Sequence, residues 1–389
     1  MNIYLDNSAT TKICEEALNK YIRVSKECYG NPSSLHALGV NAEKELSAAR
    51  REILLSLREK SSQVIFTASG SEANNLAIVG RALSKERYAR GAKIITTDGE
   101  HASVSSPLGK LESMGFEVLR IPTKNGVLDM EALRFALTKN VILVTMMMVN
   151  NETGALYDPL AVSNLIKENC PDAYLHVDAT QSYMKLPFTM NGVGADMITL
   201  SSHKIEGPKG VGALVVSSRV IKERGLAPLI MGGGQEMGLR SGTENVPAVA
   251  AFGEAVRLGR EKLYERKEKL DSLRSYLVER LWTSPALSEI KPLLPESHAP
   301  HILNITLPGI KSETMLHYLS SVGIYVSSGS ACSSNSSHIS SALIAYGKTE
   351  AEADSSIRIS FSHRNEISDV DALVTALEAG ISRLARIKR

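Results

Sequence analysis

The arrangement of this chain follows from one segment, Asp196-Met197-Ile198-Thr199-Leu200-Ser201-Ser202-His203-Lys204. An apolar run of strand length ends there at two serines, a histidine and a lysine. A glycine-rich turn follows, and a second β-branched run extends from Val211 to Val216. This pattern places Lys204 at the edge of a β-sheet, where a lysine could also be an ordinary surface residue.

A second predicted strand, which ends in an acidic residue, indicates a chemical role for Lys204. The segment Tyr174-Leu175-His176-Val177-Asp178-Ala179-Thr180-Gln181-Ser182 contains a short strand, and Asp178 closes it. Pyridoxal phosphate requires from its protein a lysine for a Schiff base and an acid for the pyridinium nitrogen. The two strand ends therefore predict a pyridoxal phosphate site.

Length and composition limit the class of protein. At 389 residues, with 43% hydrophobic residues, the chain is long enough for two domains. A formal net charge of +2 gives no basic excess, so a direct nucleic-acid ligand is not expected. The N-terminus lacks a signal-like pattern and the longest apolar run is too short to span a bilayer, so we expect a cytoplasmic protein without membrane contact. The four cysteines form no C-x-x-C pair and indicate no metal site.

Strands and helices alternate from residue 63 onward, which predicts an α/β layer on a mostly parallel sheet. The predicted strands before the Lys204 segment are 63–67, 93–97, 116–121, 141–148 and 175–177. A long charged helix, roughly Val246 to Leu281, has the composition of a connector, and a small α+β unit follows it. We therefore place the large domain at 15–260 and the small domain at 1–14 and 261–389. A serine-rich loop, 327–341, is expected in the small domain.

Several polar groups after predicted strands suit a cofactor. Gly70 and Ser71 open a helix whose free amides would attract a phosphate, although a plain helix cap explains them as well. His101 could stack on a flat ring and relay protons, or it could be a structural hydrogen-bonding residue. The amides of Asn150 and Asn151 could reach a cofactor or a substrate carboxylate, but turn chemistry explains them equally. The loop 232–243 is rich in donors and could close over a phosphate or be a linker.

Two further residues suit a substrate. Arg358 lies inside a predicted strand of β-branched residues. A buried guanidinium group needs an anionic partner there, which would be the carboxylate of a substrate or of a structural acid. Cys332 lies among small polar residues in the serine-rich loop, so it should be exposed and available as a nucleophile unless it is an incidental thiol.

Motifs along nearly the whole chain resemble those of NifS/IscS-type cysteine desulfurases, which are pyridoxal phosphate enzymes of the class-V aminotransferase family. The matching segments, in order, are Tyr4-Leu5-Asp6-Asn7-Ser8-Ala9-Thr10-Thr11, Gly30-Asn31-Pro32-Ser33-Ser34, Glu100-His101, Val149-Asn150-Asn151-Glu152, His176 to Ser182, Ser202-His203-Lys204, Arg240-Ser241-Gly242-Thr243, Ser328-Gly329-Ser330-Ala331-Cys332 and Ser356-Ile357-Arg358. The resemblance implies the aspartate-aminotransferase fold, fold type I. That fold has a large domain with a mostly parallel mixed sheet covered by helices on both faces, and a smaller α+β domain.

The resemblance also implies a role for each matching residue. Lys204, His101 and Cys332 would be catalytic: Lys204 forms the Schiff base, His101 stacks on the ring and Cys332 takes the sulfur. The remaining cofactor contacts would come from Asp178 at the pyridine nitrogen, Gln181 at the ring hydroxyl, Asn151, and a phosphate site of Gly70, Ser71, Ser201, His203 and Thr243. Thr243 would be supplied by the second subunit of a homodimer. Arg358 and Asn151 would orient the substrate, and no resident metal is implied, although Cys332 could ligate a transferred iron–sulfur cluster.

The implied reaction converts L-cysteine to L-alanine and leaves the sulfur on Cys332 as a persulfide. The sulfur would pass to an acceptor protein for iron–sulfur cluster, thio-cofactor or tRNA thiolation, and the sequence leaves this acceptor open. Two departures bear on it: the serine-rich Ser336 to Ser341 replaces acidic and proline residues that the family often has, and the chain ends at Arg389 without a C-terminal extension. The alternatives are an aminotransferase or β-lyase in which Cys332 is idle, and a non-catalytic sulfur-relay subunit.

Overall fold

The computed structural model describes residues 2–85, 91–328 and 339–387. Its strands are β1 Ile3–Tyr4, β2 Gln63–Thr67, β3 Lys93–Thr97, β4 Glu117–Ile121, β5 Val141–Met147, β6 Tyr174–Asp178, β7 Met197–Ser201, β8 Gly212–Val216, β9 Lys291–Pro292, β10 Ile302–Thr306, β11 Ile324–Tyr325, β12 Ser327–Ser328 and β13 Ser356–Ser360. Its α-helices are α1 Glu15–Glu27, α2 Ala37–Ser56, α3 Gly70–Leu83, α4 Ala102–Ser113, α5 Met130–Ala136, α6 Pro159–Asn169, α7 Met190–Val193, α8 Ser218–Lys222, α9 Val246–Glu261, α10 Leu263–Thr283, α11 Ser312–Ser321, α12 Ser341–Tyr346, α13 Glu350–Asp354 and α14 Ile367–Ile387.

A seven-stranded sheet forms the centre of the larger part of the molecule. Its strand order is β2-β8-β7-β6-β5-β3-β4, and β8 pairs antiparallel with both of its neighbours while the other pairs are parallel. Every residue of β5, β6, β7 and β8 is buried. Continuous apolar strands of this kind require cover on both faces. The predicted mostly parallel mixed sheet is confirmed.

Helices supply that cover. Alternate residues of β2 point to opposite faces, so Val64 and Phe66 join a core that also contains residues of α1, α2 and α9. Ile65 between them joins a second core with residues of α3 and α4. The two-faced α/β layer implied by the sequence is therefore confirmed.

A separate core lies in the smaller part of the molecule. Its sheet has the order β12-β13-β10-β9 and is antiparallel throughout. Residues of α10, α11 and α14 pack on it, together with Ile3 and Leu5 from the start of the chain. Cys14 already belongs to the larger core. We propose that the two cores are the centres of two domains, divided close to the predicted boundaries at 14/15 and 260/261, with the Cys14 side chain packed on the larger core.

Two sequence predictions are wrong in detail. The single helix from Val246 to Leu281 is two helices, because the chain leaves helical geometry at Lys262 (φ −112°, ψ 16°). Buried residues of α9 belong to the larger core and those of α10 to the smaller one, so the break redirects the chain between them. The serine-rich loop also begins later than predicted, since Ser327 and Ser328 form β12, and Ser340 caps α12 through its hydroxyl oxygen.

Candidate active site

Lys204 lies in a short 3₁₀ turn, 202–204, directly after β7. Its Nζ donates to the backbone carbonyl oxygens of Ser8 at 2.5 Å and Ala9 at 2.8 Å. The N-terminal segment is held in turn by the amide of Thr11, which donates to the carbonyl oxygen of His203 at 2.8 Å. The start of the chain and the end of β7 thus fix the lysine head group together.

Asp178 closes the neighbouring strand β6 and is buried. Its Oδ2 accepts from Nδ2 of Asn74 at 2.9 Å, and its Oδ1 accepts from the backbone amide of Thr180 at 2.9 Å. These two bonds set the direction of the carboxylate, as a site for a cationic ring nitrogen requires. Lys204 and Asp178 lie at the carboxyl ends of adjacent parallel strands, as the sequence predicts.

A buried layer supports this pair from inside the sheet. The His176 ring has Nδ1 2.8 Å from Oγ1 of Thr145 on β5 and Nε2 2.9 Å from Oγ1 of Thr199 on β7. Burial lowers the pKa of His176 to about 4, with the charge of Asp178 opposing the shift. The ring is therefore neutral near pH 7 and cross-links three strands beneath the site.

Helix α3 begins at Gly70, and its start faces the same region. The cap is Ser69, whose Oγ accepts from the amide of Glu72 at 3.1 Å. A β-carbon at Gly70 would lie 3.2 Å from Cβ of Ser201 and 3.4 Å from Oγ1 of Thr180, so the glycine allows the helix to approach β7 closely. Free amides at this helix start favour an anion.

His101 has the hydrogen-bonding role that the sequence left open, and it also lies at the cavity. Its Nδ1 accepts from the amide of Ser103 at 3.1 Å and so caps α4, while the residue also lines the active-site cavity. Burial lowers the pKa of His101, and Lys204 and Arg358 lower it further against the effect of Asp178. The ring is uncharged near neutral pH.

Arg358 lies on β13 with most of its side chain buried. One terminal nitrogen donates to Oδ1 of Asp6 at 2.8 Å, and the other donates to the carbonyl oxygen of Asn151 at 2.9 Å. A structural acid is thus present, and the guanidinium also faces the cavity. Asn150, by contrast, stabilises its own turn, because its Oδ1 accepts from the amides of Glu152 and Thr153.

These residues surround one cavity of about 450 Å³. Its lining consists of Asp6, Ser8, Ala9, Ser69, Gly70, Ser71, Asn74, His101, Ser103, Met147, Val149, Asn151, Asp178, Thr180, Gln181, Ser201, His203, Lys204, Ser327 and Arg358. Lys204 and Asp178 belong to the large sheet, whereas Arg358 and Ser327 belong to the small one. The cavity therefore brings together most of the residues singled out in the sequence.

Two of the predicted residues are not among those that line the cavity. Thr243 is exposed, in a loop where the amide of Gly242 donates to Oε1 of Gln235 at 2.9 Å. Cys332 lies outside the described residues, and so does the rest of 329–338. Other residues that shape the site carried no sequence signal of this role, above all Asn74, which is buried on α3 against Asp178.

Comparisons with known proteins agree with this geometry. The family model for class-V aminotransferases matches residues 3–373. The chain is 39% identical to a NifS/IcsS protein homolog of Lactobacillus delbrueckii subsp. bulgaricus, over 99% of this chain and 98% of that protein. It is 36% identical to a putative cysteine desulfurase IscS 1 of Bacillus subtilis, over 98% of this chain and 99% of that protein.

This chain belongs to the class-V aminotransferase family. Within that family its relatives are NifS/IscS cysteine desulfurases, and the family depends on pyridoxal phosphate. A solved structure of a NifS-like protein superposes with a TM-score of 0.90 at 33% identity, covering 98% of this chain and all of that one. The structure titled SspA in complex with cysteine superposes with a TM-score of 0.79 at 30% identity, covering 94% of this chain and 100% of that one. The fold type I architecture is confirmed.

Among the residues that the structure describes, no helix combines the length and apolar character needed to cross a bilayer.

Proposed function

We propose that this chain is a cysteine desulfurase that converts L-cysteine to L-alanine and transfers the sulfur to Cys332. The observation that carries the proposal is the single cavity in which Lys204 and Asp178 face Arg358. A lysine and an acid at adjacent strand ends suit pyridoxal phosphate. An arginine guanidinium group opposite them suits the carboxylate of an amino acid. The relative crystallised with cysteine supports this choice of substrate.

The residues around the cavity fit pyridoxal phosphate. Oδ1 of Asn74, Oε1 of Gln181 and Oγ of Ser8 are buried, and none has a hydrogen-bond partner among the described residues. Buried polar atoms usually have partners, so these three suit the polar edge of a bound ring. We assign Asp178 to the pyridine nitrogen, Gln181 to the ring hydroxyl and His101 to the ring face.

The phosphate would lie at the start of α3. We assign it to the amide of Gly70, the hydroxyl groups of Ser71 and Ser201, and His203. Burial, followed by the charges of Lys204, Lys185 and Lys209, lowers the pKa of His203 to about 4, so its ring is neutral near pH 7. A neutral ring beside Lys204 can orient the phosphate by hydrogen bonding without adding charge.

The substrate is placed by Arg358 and Asn151. Nε of Arg358 is buried and has no hydrogen-bond partner among the described residues. Asp6 and the backbone carbonyl of Asn151 already fix the orientation of the guanidinium group. An arginine held in this way loses little conformational entropy when it binds a carboxylate. We therefore assign the α-carboxylate of cysteine to Arg358.

The chemistry divides between the cofactor and the chain. Bound pyridoxal phosphate supplies an electron sink for the substrate α-carbon. Lys204 removes and returns protons at the substrate, which requires Nζ to be neutral when it acts as a base. The thiolate of Cys332 attacks the substrate sulfur: an S–S bond forms, the C–S bond breaks and its electron pair stays on carbon, and that carbon then takes a proton to become the methyl group of alanine.

Cys332 is attached close to this cavity by the covalent chain. Ser327 lines the cavity and pairs with Arg358, and Ser328 pairs with Ile357. Four residues of chain span at most about 14 Å, which limits how far Cys332 can be from Ser328. The other thiols suit this role less well, because Cys14, Cys28 and Cys170 are all buried. Burial also raises the pKa of Cys14, and it raises that of Cys170 to about 11.

A homodimer follows from the same assignment. Thr243 is exposed and does not line the cavity of its own chain, so we propose that it completes the phosphate site of a second copy. Leu35 follows the matched segment 30–34, and Met231 precedes the loop 232–243 that carries Thr243. They are 98% and 80% exposed, as residues in a subunit interface would be in one isolated chain. Sedimentation of the holoprotein should show a dimer, and a fully active monomer would contradict this assignment.

The fate of the sulfur is the remaining part of the proposal. A persulfide on Cys332 is a sulfane donor, so we propose a thiol-bearing acceptor protein, either an iron–sulfur scaffold or an enzyme of thiolation. Affinity purification under conditions that preserve persulfides, with and without cysteine, would identify it.

Replacement of Cys332 by serine tests the desulfurase activity. Cys332→Ser should abolish formation of alanine and sulfide from cysteine but leave cofactor binding and substrate binding intact, because a hydroxyl group is a poor nucleophile toward sulfur. Cys170→Ala is the control and should keep its activity. If Cys332→Ser released alanine at the normal rate, the result would contradict the proposed desulfurase and favour an aminotransferase or lyase.

A further inference from the structure

Lys185 is a second lysine of the active-site region with no assigned role. It lies on the segment after β6 that also carries Gln181, and its amide donates to the carbonyl oxygen of Ser182 at 3.1 Å. The residue is only 7% exposed. Its Nζ is buried and has no hydrogen-bond partner among the described residues. A buried ammonium without partners is costly, so its presence calls for a physical reason.

Lys185 and Lys204 both line one small cavity, together with Thr11, Glu206 and Arg266. Its volume is about 30 Å³, which is enough for one water molecule. A water molecule at this place could relay a proton between the two lysine side chains.

The carboxylate in this cavity, Glu206, is shared among several cations. Its Oε1 lies 3.1 Å from Nε of Arg364 and 3.5 Å from Nδ1 of His363, and its Oε2 lies 3.7 Å from a terminal nitrogen of Arg266. Its backbone amide donates to Oγ1 of Thr11 at 2.7 Å. Glu206 therefore does not pair with Lys185 alone, and no hydrogen bond joins the two side chains among the described residues.

The groups around Lys185 are mostly cationic or neutral. Lys204, Glu206, Arg266 and His363 line the cavity with Lys185, and the charge of Lys185 also acts on His203 and His301. Burial is the main cause that lowers the pKa of Lys185 to about 7, and the charge of Lys204 lowers it further. The charge of Glu206 opposes this shift. Burial also lowers the pKa of His301 well below its usual range, so this ring adds no charge near pH 7.

We propose that Lys185 is the proton partner of Lys204: the two amines hold a single proton in their shared cavity, and Lys185 holds it when Lys204 acts as a base. Two like charges in one desolvated cavity resist simultaneous ionisation, as paired active-site carboxylates do. The transfer breaks one N–H bond on Lys204 and forms one on Lys185, without any co-reactant. This inference rests on the proposed function, in which Lys204 must be neutral to take the α-proton.

The coupling between the lysines can be measured without catalysis. The experiment uses NMR of full-length, cofactor-free protein with carbon-13-labelled lysines. The ε-carbon signal of Lys185 is the one that disappears in Lys185→Met, and it should titrate near pH 7. In Lys204→Ala the same signal should titrate at least about one pH unit higher, because the neighbouring charge is gone. Lys93 serves as the control: it is also 7% exposed, but it pairs with Glu117 at the far side of the sheet, and Lys93→Met should not move the Lys185 signal.

The effect on catalysis has a distinct signature. In Lys185→Met the single proton can reside only on Lys204, so the acid limb of the kcat profile should move upward by about one pH unit. Raising the pH should restore activity, and Lys185→Arg should restore part of it at pH 7. The melting temperature of Lys185→Met should not fall, because methionine removes a charge that is costly to bury.

Three results would overturn the inference. The first is a Lys185 signal that titrates near pH 10 in the wild type, and the second is a midpoint that stays the same in Lys204→Ala. The third is an equal loss of activity at every pH in Lys185→Met. A protein that fails to convert cysteine but shows the coupled lysine titration would contradict the proposed function and leave the coupling established.

Discussion

The two ends of the active-site cavity are held in different ways. At one end, Lys204 and Asp178 follow adjacent buried strands of the large sheet, and the His176 ring links the strands beneath them. At the other end, Arg358 lies on β13 of the small sheet, next to the two-residue edge strand β12. Cys332 is connected to that edge strand and not to the large sheet.

This difference separates two steps of the reaction. In the proposed function, activation of the amino acid depends on groups whose positions are set by the buried sheet and by hydrogen bonds. Acceptance of the sulfur is assigned to Cys332, which follows the edge strand β12 in the chain. Mutations at the two ends should therefore have different signatures.

The largest expected effect is at the sheet end. Lys204→Ala should lower kcat by about 10³-fold or more, because it removes the proposed general base. The visible absorbance of the holoprotein should also change, since Lys204 is the proposed attachment point for the cofactor. Absorbance spectra and alanine assays measure both effects. A variant with the wild-type visible band would show that another amine holds the cofactor.

A smaller effect is expected at the opposite end. Arg358→Gln should raise KM for cysteine by about 50-fold, which corresponds to the loss of a charged hydrogen bond. The visible band of the holoprotein should be unchanged, because Arg358 is bonded to Asp6 and to the backbone carbonyl of Asn151, and not to Lys204, Asp178 or Gln181. Loss of the cofactor in this variant would show that the two ends are not separable.

The smallest of these effects concerns a residue that supports Asp178. Asn74→Ala removes the donor to Oδ2, and the affinity for pyridoxal phosphate should fall by about tenfold as a consequence. Asn169, whose side chain donates to the carbonyl oxygen of Leu165 within α6, provides the matched control. Equilibrium titration of the cofactor-free proteins distinguishes them, and equal affinities would remove Asn74 from the site.

Much of this site can be predicted from sequence because its principal residues end predicted strands. Asp178 and Lys204 follow apolar runs whose carboxyl ends must meet at one edge of a parallel sheet. The partners of these residues are distant in sequence: Asn74 lies 104 residues before Asp178, and Ser8 lies 196 before Lys204. Neither has a local pattern that indicates its contact.

Two other features depend on packing. The break at Lys262 carries no glycine or proline, so only the change from one core to the other reveals it. Lys185 follows an ordinary turn in the sequence. Its proposed role is inferred from its burial and from the cavity that it lines with Lys204. Sequence patterns report which face of an element is apolar, but they do not report which distant charge a buried amine will meet.

The most direct test of the account is a single turnover of the wild-type holoprotein with one equivalent of cysteine. We expect one alanine per reacting subunit and, by mass spectrometry of peptides, one added sulfur atom on Cys332, with Cys14, Cys28 and Cys170 unmodified. Formation of pyruvate and free sulfide, or of alanine while Cys332 stays unmodified, would contradict it.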